Sequence, residues 1–514
     1  MLSKKIAIIG LDCVPDALVF ETLAADLPTL RRLMDHGVWG TLVSTDPPIT
    51  IPAWTTITTG RDPGELGLYG FRNRLAYDRY ELTVVNSSHV HAPRVWDYLE
   101  AEGADSLLIA IPQTYPPQAH RGITVAGFPT PSFHTPFCYP PEIASEVEAL
   151  TRGNYVNDVK EFRNKDKHEL LADLYRAAES RFTVAREFII NKPWDFFMMV
   201  ETETDRLHHA FWADHDEAHP RYVRNNPFEQ AIPAFYRFID EQIGSIVESM
   251  PDETTVMVVS DHGAGPRMGA AAINEWLLAQ GYLTLSKSPR EETPLTPDMV
   301  DWTATKAWGE GGYYARIFLN VRGREPYGQV SQDEYEPLLE ELTEKLRIMT
   351  DPRGRSIRNT VLRPPLLYRL CRNAPPDLMV YFDDLNYRSS GLVGTGEVFP
   401  DAHGGAMDEA NHKPNGMFIM ARLSDLRAGR RRGQRIGPLS CMDVAPTALQ
   451  EVGVQVPPDL RGRAVTLAAP APAAGETGPE DSPPQALMPD DQSTGFSEEE
   501  EAIITQRLKD LGYM

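Results

Sequence analysis

The chain has 514 residues, 42% of them hydrophobic and 24% charged, enough for two or three domains or one large sheet carrying an inserted cap. Fifty basic residues stand against 73 acidic ones, a net charge of -23, which argues against a nucleic-acid surface because phosphate contact needs a basic patch. Four cysteines, Cys13, Cys138, Cys371 and Cys441, lie far apart without CxxC spacing, so neither a disulfide framework nor a thiolate metal site is expected.

The N-terminus, MLSKKIAIIGLDC, has only four apolar residues between its lysines and Gly10, too few for a signal segment or a membrane span. No later stretch reaches spanning length, and a reducing, cytoplasmic setting is expected. Ile6 to Leu11 reads as a first buried parallel strand ending at Asp12, either a turn residue or a carboxylate aimed at the top of a sheet. Gly40 to Ser44 is a second strand. In DPPITIPAWTTITTGRDP, three prolines stiffen a loop ahead of a Thr-rich helix and place Thr50 near the helix N-terminus, where an anion is favoured. A hydroxyl there is a simple cap or an activated nucleophile.

Arg94 to Gly103 reads as a helix and Leu107 to Ile111 as a strand. Residues 126 to 157, rich in Pro, aromatics and His, read as an excursion over the sheet without a sheet element. Lys167 to Asn191 has helical spacing, and Asp195 to Val200 is the next buried strand. It feeds ETETDRLHHAFW, where Asp205 and His209, four apart, share one helix face as an exposed pair or as two ligands of one metal. His208 points about 100° away on helical geometry.

Ile232 to Met250 is a further helix leading into VMVVSDHGAG. There a buried strand ends in Asp261 and His262, ahead of a Gly that reads as freeing a turn. Ile273 to Tyr282 is a short helix and residues 286 to 305 a loop. Strands at Arg316 to Val321 and Leu378 to Phe382 flank a charged helix from Gln332 to Met349, so that about 285 to 395 forms an elaboration near the pocket. His403 and His412 lie in the loop before the strand Met417 to Ala421. The basic run RAGRRRGQR, 427 to 435, is a solvated loop or a phosphate contact, and a helix follows at Cys441 to Val452. From 468 to 495 the composition turns to Pro, Ala and acidic residues, a flexible linker. At 496 to 514 Ser497 and Glu500 have capping-box spacing and Ile503, Ile504, Leu508 and Leu511 form a stripe, a helix to dock on its own body or to join a homo-oligomer.

Asp12, Thr50, Asp205, His209, Asp261, His262 and a later His together supply what two adjacent divalent metals need. Oxygen and imidazole ligands suit zinc first, manganese second. Two such ions would clamp the attacking and leaving oxygens of an in-line phosphoryl displacement and lower the pKa of the Thr50 hydroxyl.

In order, IAIIGLD, PITIPAWTTITTGRDP, TDRLHHAFW, VVSDHGAGP with INEWLLAQGYL, and HKPNGMFIMA resemble the motifs of the alkaline phosphatase superfamily, and within it the type I phosphodiesterase/nucleotide pyrophosphatase family. DVAPTALQEVGVQVPPDLRGR and SEEEEAIITQRLKDLGYM resemble bacterial members, so the likeness spans nearly the whole chain. It implies an alkaline-phosphatase-like three-layer α/β sandwich over 1 to 467, with a mostly parallel central sheet, helices on both faces and an inserted cap-like region. It further implies one metal on Asp205, His209 and a later His, the other on Asp12, Asp261 and His262, and Thr50 bridging them as nucleophile through a phospho-threonine.

His412 matches the short His-to-strand spacing of bacterial members, and His403 the longer spacing of eukaryotic-type enzymes. Asn73 stands near the family's phosphoryl-binding Asn, with an offset from Thr50 slightly longer than usual. The sequence departs from the family's PESHG turn at Leu66, where His is usual. The expected activity is a metal-dependent phosphodiesterase or nucleotide pyrophosphatase acting on a small phosphate ester or nucleotide. A phosphomonoesterase or mutase-like phosphotransferase is the near alternative, and a scaffold on a degenerate phosphatase fold is the alternative of another class.

Overall fold

A computed structural model describes residues 4–156, 158, 159, 162, 165–400, 408–467 and 496–510. The body is a ten-stranded sheet. Five parallel strands form its centre: β1 (Lys5–Leu11), β3 (Ser106–Ile109), β4 (Gly122–Val125), β6 (Phe196–Glu201) and β7 (Thr254–Val259), in the order β7-β1-β6-β3-β4. On one side β14 (Asn415–Arg422) runs antiparallel to both β7 and β2 (Val38–Val43). On the other, β5 (Cys138–Tyr139) pairs antiparallel with β4. The 126 to 157 region therefore does contribute to the sheet, contrary to expectation, and adds a helix at Ile143–Thr151. A strand of two residues is too short to show the alternation from which strands are read.

Alternation along each central strand builds the layers. Ala7, Ile9, Phe197, Met199, Val256 and Val258 face one core, covered by helices α1 (Pro28–His36), α3 (Lys167–Asn191) and α5 (Ala231–Ser249). Ile6, Ile8, Phe196, Met198, Met257 and Val259 face the other, covered by α2 (Thr50–Thr59) and α7 (Val444–Glu451). This is the three-layer α/β sandwich expected. The terminal helix α8 (Glu498–Asp510) closes on the chain's own body: Ile504 and Leu508 are fully buried in the first core, Phe496 stacks on Tyr115, and Glu500 accepts from the Tyr115 hydroxyl at 2.6 Å. Ser497 and Glu500 form the anticipated reciprocal cap. Leu511 and the 468–495 linker lie outside the described residues.

The elaboration has a core of its own. β9 (Ala307–Glu310), β10 (Ala315–Leu319), β11 (Thr360–Leu362) and β12 (Leu378–Tyr381) make an antiparallel sheet, over which α6 (Gln332–Arg347) lays Leu339, Leu342 and Leu346. The chain leaves the main sheet after β7 through β8 (Gly263–Pro266) and returns through β13 (Ala410–Lys413), and these two strands pair antiparallel with Ala264 opposite His412. His412 thus stands on a ribbon rather than in a loop. Gly263 opens β8 instead of a turn: a Cβ there would come within 2.2 Å of the Asn415 carbonyl, so glycine is needed for close approach. The expected loop at 286–305 includes Thr293–Pro294, which pairs with Leu392–Val393. Arg430 and Arg432 of the basic run both bind Asp425, whose single carboxylate offsets one of the two charges.

Candidate active site

Strand register sets the site. Gly10 of β1 lies beside Val200 of β6 and Val259 of β7, so the residues that follow emerge side by side at the C-terminal edge, where open α/β sheets place ligands. They are Asp12, then Asp205 in the first turn of α4 (Glu203–His215), then Asp261 and His262. The Thr204 hydroxyl donates to the Asp12 carbonyl at 2.6 Å, tying α4 to β1. Buried Arg181 of α3 grips both oxygens of Glu201 at 3.0 and 3.1 Å and also contacts Glu203, fixing the β6–α4 junction.

Two ligand sets result, every member buried. In the first, Asp205 Oδ1, His209 Nε2 and His412 Nε2 form a triangle with all three sides 3.3 Å. In the second, His262 Nε2 lies 3.2 Å from Asp261 Oδ2 and 3.6 Å from Asp12 Oδ1. Ligand bonds of about 2.0–2.1 Å in a tetrahedron give ligand–ligand edges of about 3.3–3.4 Å, so the first triangle already has the dimensions of a zinc-type face.

The histidines are prepared for metal. His209 Nδ1 is 2.9 Å from Asp408 Oδ1, His412 Nδ1 is 3.0 Å from the Pro48 carbonyl, and His262 Nδ1 is 3.2 Å from the Gly263 carbonyl. Each Nδ1–H is thereby given an oxygen acceptor, which leaves the Nε2 lone pairs turned inward. Among the described residues, His262 Nε2, Asp12 Oδ1 and Asp261 Oδ2 have no hydrogen-bond partner despite burial, a condition that costs about 1–3 kcal/mol per group unless something binds there.

Charge points the same way. Burial, then mutual repulsion with Asp205 and Asp12 respectively, pushes the Asp12 and Asp261 carboxyls well above the usual range. Burial opposes ionisation of Asp205 too, but His209, His412 and Arg206, whose Nη1 is 2.6 Å from Asp205 Oδ2, hold it well below. Burial would lower His209, yet Asp205 and then Asp408 raise it to about 9. Burial and His412 hold His262 well below its ordinary value. A buried ion costs several kcal/mol without a partner. Asp205 is balanced by Arg206 and a protonated His209, whereas Asp12 and Asp261 have no cation beside them among the described residues and would need one to ionise together.

Thr50 is the first residue of α2 and is buried. It is not the cap: Ile49 holds that position, and Thr50 Oγ1 makes no hydrogen bond among the described residues. Thr55, Thr58 and Thr59 instead return their hydroxyls to carbonyls within the helix. Thr56 Oγ1 also lacks a partner, but lies about 9 Å further along the axis. Two bonds from the ligand sets bracket Thr50: Pro48 to His412, and Trp54 Nε1 to Asp12 Oδ2 at 2.9 Å. Gly10 permits the second, because a Cβ there would meet the Trp54 ring at 2.3 Å.

Asn73 is buried outside both sets, its Oδ1 accepting from Tyr69 N–H and its Nδ2 donating to the Gly70 carbonyl. His403 lies outside the described residues. His208 points away, its ring nitrogen 3.0 Å from the Tyr236 hydroxyl and its pKa lowered to about 3 by burial.

Three residues not anticipated complete the centre. Asp408 orients His209 and is bound by Arg388. Its spacing to His412 repeats the DxxxH of Asp205 and His209, a signal present in the sequence. Trp54 fixes Asp12. Tyr313, from the elaboration, stacks on His412 at 3.8 Å and places its hydroxyl 3.2 Å from His209 Nε2. It covers the first set. Beside it lies a cavity of only about 20 Å³, bordered by Ile49, Arg72, Tyr313 and Arg316. A larger one of about 560 Å³, near Met268 and Tyr387, contains none of the ligands. The ligand chemistry, not cavity size, identifies the centre.

A family model described as type I phosphodiesterase / nucleotide pyrophosphatase matches residues 6–391. No curated protein matches the chain. Among solved structures, human ectonucleotide pyrophosphatase/phosphodiesterase 5 aligns with a TM-score of 0.51 at 11% identity, over 88% of this chain and 96% of that one. The inactive murine counterpart in complex with AMP gives 0.50 at 10%, with the same coverage. Phosphonoacetate hydrolase from Sinorhizobium meliloti 1021 in complex with phosphonoformate gives 0.53 at 14%, again over 88% and 96%. At such identities the likeness is one of fold.

Proposed function

Because the chain belongs to the type I phosphodiesterase/nucleotide pyrophosphatase family, we propose that it is a two-metal hydrolase of phosphate diesters or nucleotide pyrophosphates with Thr50 as nucleophile. The observation that carries this reading is the pair of three-ligand sets, each histidine tied through Nδ1, bonded to either flank of Thr50 through Pro48 and Trp54, with the Thr50 hydroxyl lacking a partner among the described residues. Zinc, or else manganese, held by Asp205, His209 and His412 and by Asp12, Asp261 and His262, would supply Lewis-acid charge and make the Thr50 hydroxyl acidic.

The chain's own residues do the rest. Thr50 Oγ loses its proton to solvent and forms a bond to phosphorus as the ester P–O bond breaks, its electron pair leaving on the alcohol oxygen, which takes up a proton from solvent; a phospho-threonine remains. Water then attacks phosphorus, the bond from phosphorus to Thr50 Oγ breaks, and a proton returns to Thr50 Oγ. The positive end of α2 favours the phosphoryl group at this position. Trp54, Pro48 and Asp408 hold Asp12, His412 and His209 in place throughout. Arg72 and Arg316, beside the small cavity, share the one carboxylate of Glu310, which leaves a net positive charge for a second anionic group of the substrate.

Thr50→Ala should abolish turnover of bis-p-nitrophenyl phosphate with zinc or manganese while metal content, read by elemental analysis, stays near wild type. Normal activity in that variant would refute the covalent route. Faster turnover of the mono-p-nitrophenyl ester than of the diester would reassign the protein as a phosphomonoesterase.

A further inference from the structure

A third group of ligand atoms sits across the two sets. Cys13 Sγ, one nitrogen of His262 and one of His412 lie within 4.8 Å of one another, all buried. The two imidazoles are stacked, with centroids 3.9 Å apart and planes 25° apart, so they form one wall shared by both sets. His262 Nδ1 is taken by the Gly263 carbonyl, and among the described residues Nε2 has no hydrogen-bond partner, so Nε2 is the nitrogen free to bind. Cys13 is held in the left-handed region at φ 64°, where its N–H reaches Asp261 Oδ1 at 3.2 Å and its thiol reaches the Gly263 carbonyl at 3.4 Å. Glycine would take that backbone conformation with less strain, so the side chain is the feature that sets this position apart.

We propose that Cys13, His262 and His412 form a soft-metal site that takes a single thiophilic divalent ion and alternates with the filled pair. Thiolate and imidazole together select zinc, cobalt or cadmium over manganese or magnesium. Burial, then the Asp205, Asp12 and Asp261 carboxylates, keep the empty site's thiol protonated; on ligation the sulfur lone pair forms the bond to the ion and the thiol proton passes to a neighbouring carboxylate and from there to solvent. An ion seated here draws His412 from one set and His262 from the other, so it excludes the two-ion state. The composition gave no reason to expect a thiolate site, because a single cysteine acquires its histidines only through the fold. This inference accepts the two ligand sets of the proposed function but does not require hydrolysis.

The test is a cobalt(II) titration of the full-length chain after removal of metal by chelation. A thiolate-to-cobalt charge-transfer absorption should rise through the first equivalent and fall as the second is added. It should be absent from Cys13→Ser and Cys13→Gly, the glycine variant suiting the left-handed backbone, and retained in Cys441→Ser, whose thiol contacts the Asp261 carbonyl at 3.5 Å. Two cobalt ions bound without such a band at any ratio, or a band of equal strength in folded Cys13→Ser, would overturn the site while leaving the hydrolase reading intact. A Cys13-dependent band in a chain that hydrolyses no phosphate ester would uphold it and count against that reading instead.

Discussion

Trp54 donates its indole N–H to Asp12 Oδ2 across the space left by Gly10. The bond ties the helix that begins with Thr50 to a ligand of the second set and leaves Asp12 Oδ1 turned toward Asp261 and His262. Outer partners of this kind contribute about 10–100-fold in metal affinity. Trp54→Phe should therefore weaken zinc binding at the second set by about 10–100-fold, with the fold retained. Isothermal titration with zinc measures it, and an unchanged affinity would show that the indole only fills space.

Tyr313 covers the first set with both its ring and its hydroxyl. Tyr313→Phe keeps the stacked ring and removes a hydroxyl that competes with the ion for His209 Nε2, a change of about 1 kcal/mol, whereas Tyr313→Ala uncovers His412. Release of bound metal to a chelator should thus be fast for Tyr313→Ala and within about tenfold of wild type for Tyr313→Phe. Equal rates for the two variants would assign the closure to the hydroxyl.

Proton release should accompany metal uptake. Without metal, His209 titrates near 9, and Asp12 and Asp261 titrate well above ordinary carboxyls. All three bind metal only when deprotonated, so below pH 9 the ion must displace at least the His209 proton. Affinity then falls about tenfold per pH unit for each proton displaced. Titration at pH 7 in two buffers of different ionisation enthalpy counts the protons. A count of zero would contradict this electrostatic picture.

The terminal helix rests on few contacts: Ile504 and Leu508 in the core, Phe496 on Tyr115, and Arg507 on the Thr130 and Pro131 carbonyls. Leu508→Ala removes a fully buried side chain, at a typical cost of about 2–5 kcal/mol. Because α8 lies at the margin of the body, that loss should free the helix without unfolding the sheet. Hydrogen exchange should show lost protection at 498–510 and none at β1. Equal loss in both would make the helix part of the global folding unit.

The legible parts of the site were those carried by local pattern. Four apolar residues running into Asp261 and His262, and the helical spacing of Asp205 and His209, are properties of one strand and one helix, and the structure brings all four together. His412 was legible only as a choice against His403, because the ribbon that presents it pairs with β8, far away in sequence. Asp408 carried a readable signal, its DxxxH spacing to His412, whereas Tyr313 and Cys13 could not be read. Each faces the centre only after the elaboration has folded back or two distant histidines have arrived. The two-residue strand at Cys138–Tyr139 escaped for the opposite reason, being too short to carry any period.

The ribbon of β8 and β13 also sets an order of assembly during synthesis. Asp12, Asp261 and His262 all precede the elaboration, whereas His412 follows it. A nascent chain that has emerged only through β7 and β8 holds one finished ligand set and, in the other, two ligands without their third. Translation therefore delivers the two halves of the metal centre at different times, and the second half is finished only once the elaboration has been made and the chain has come back to the sheet.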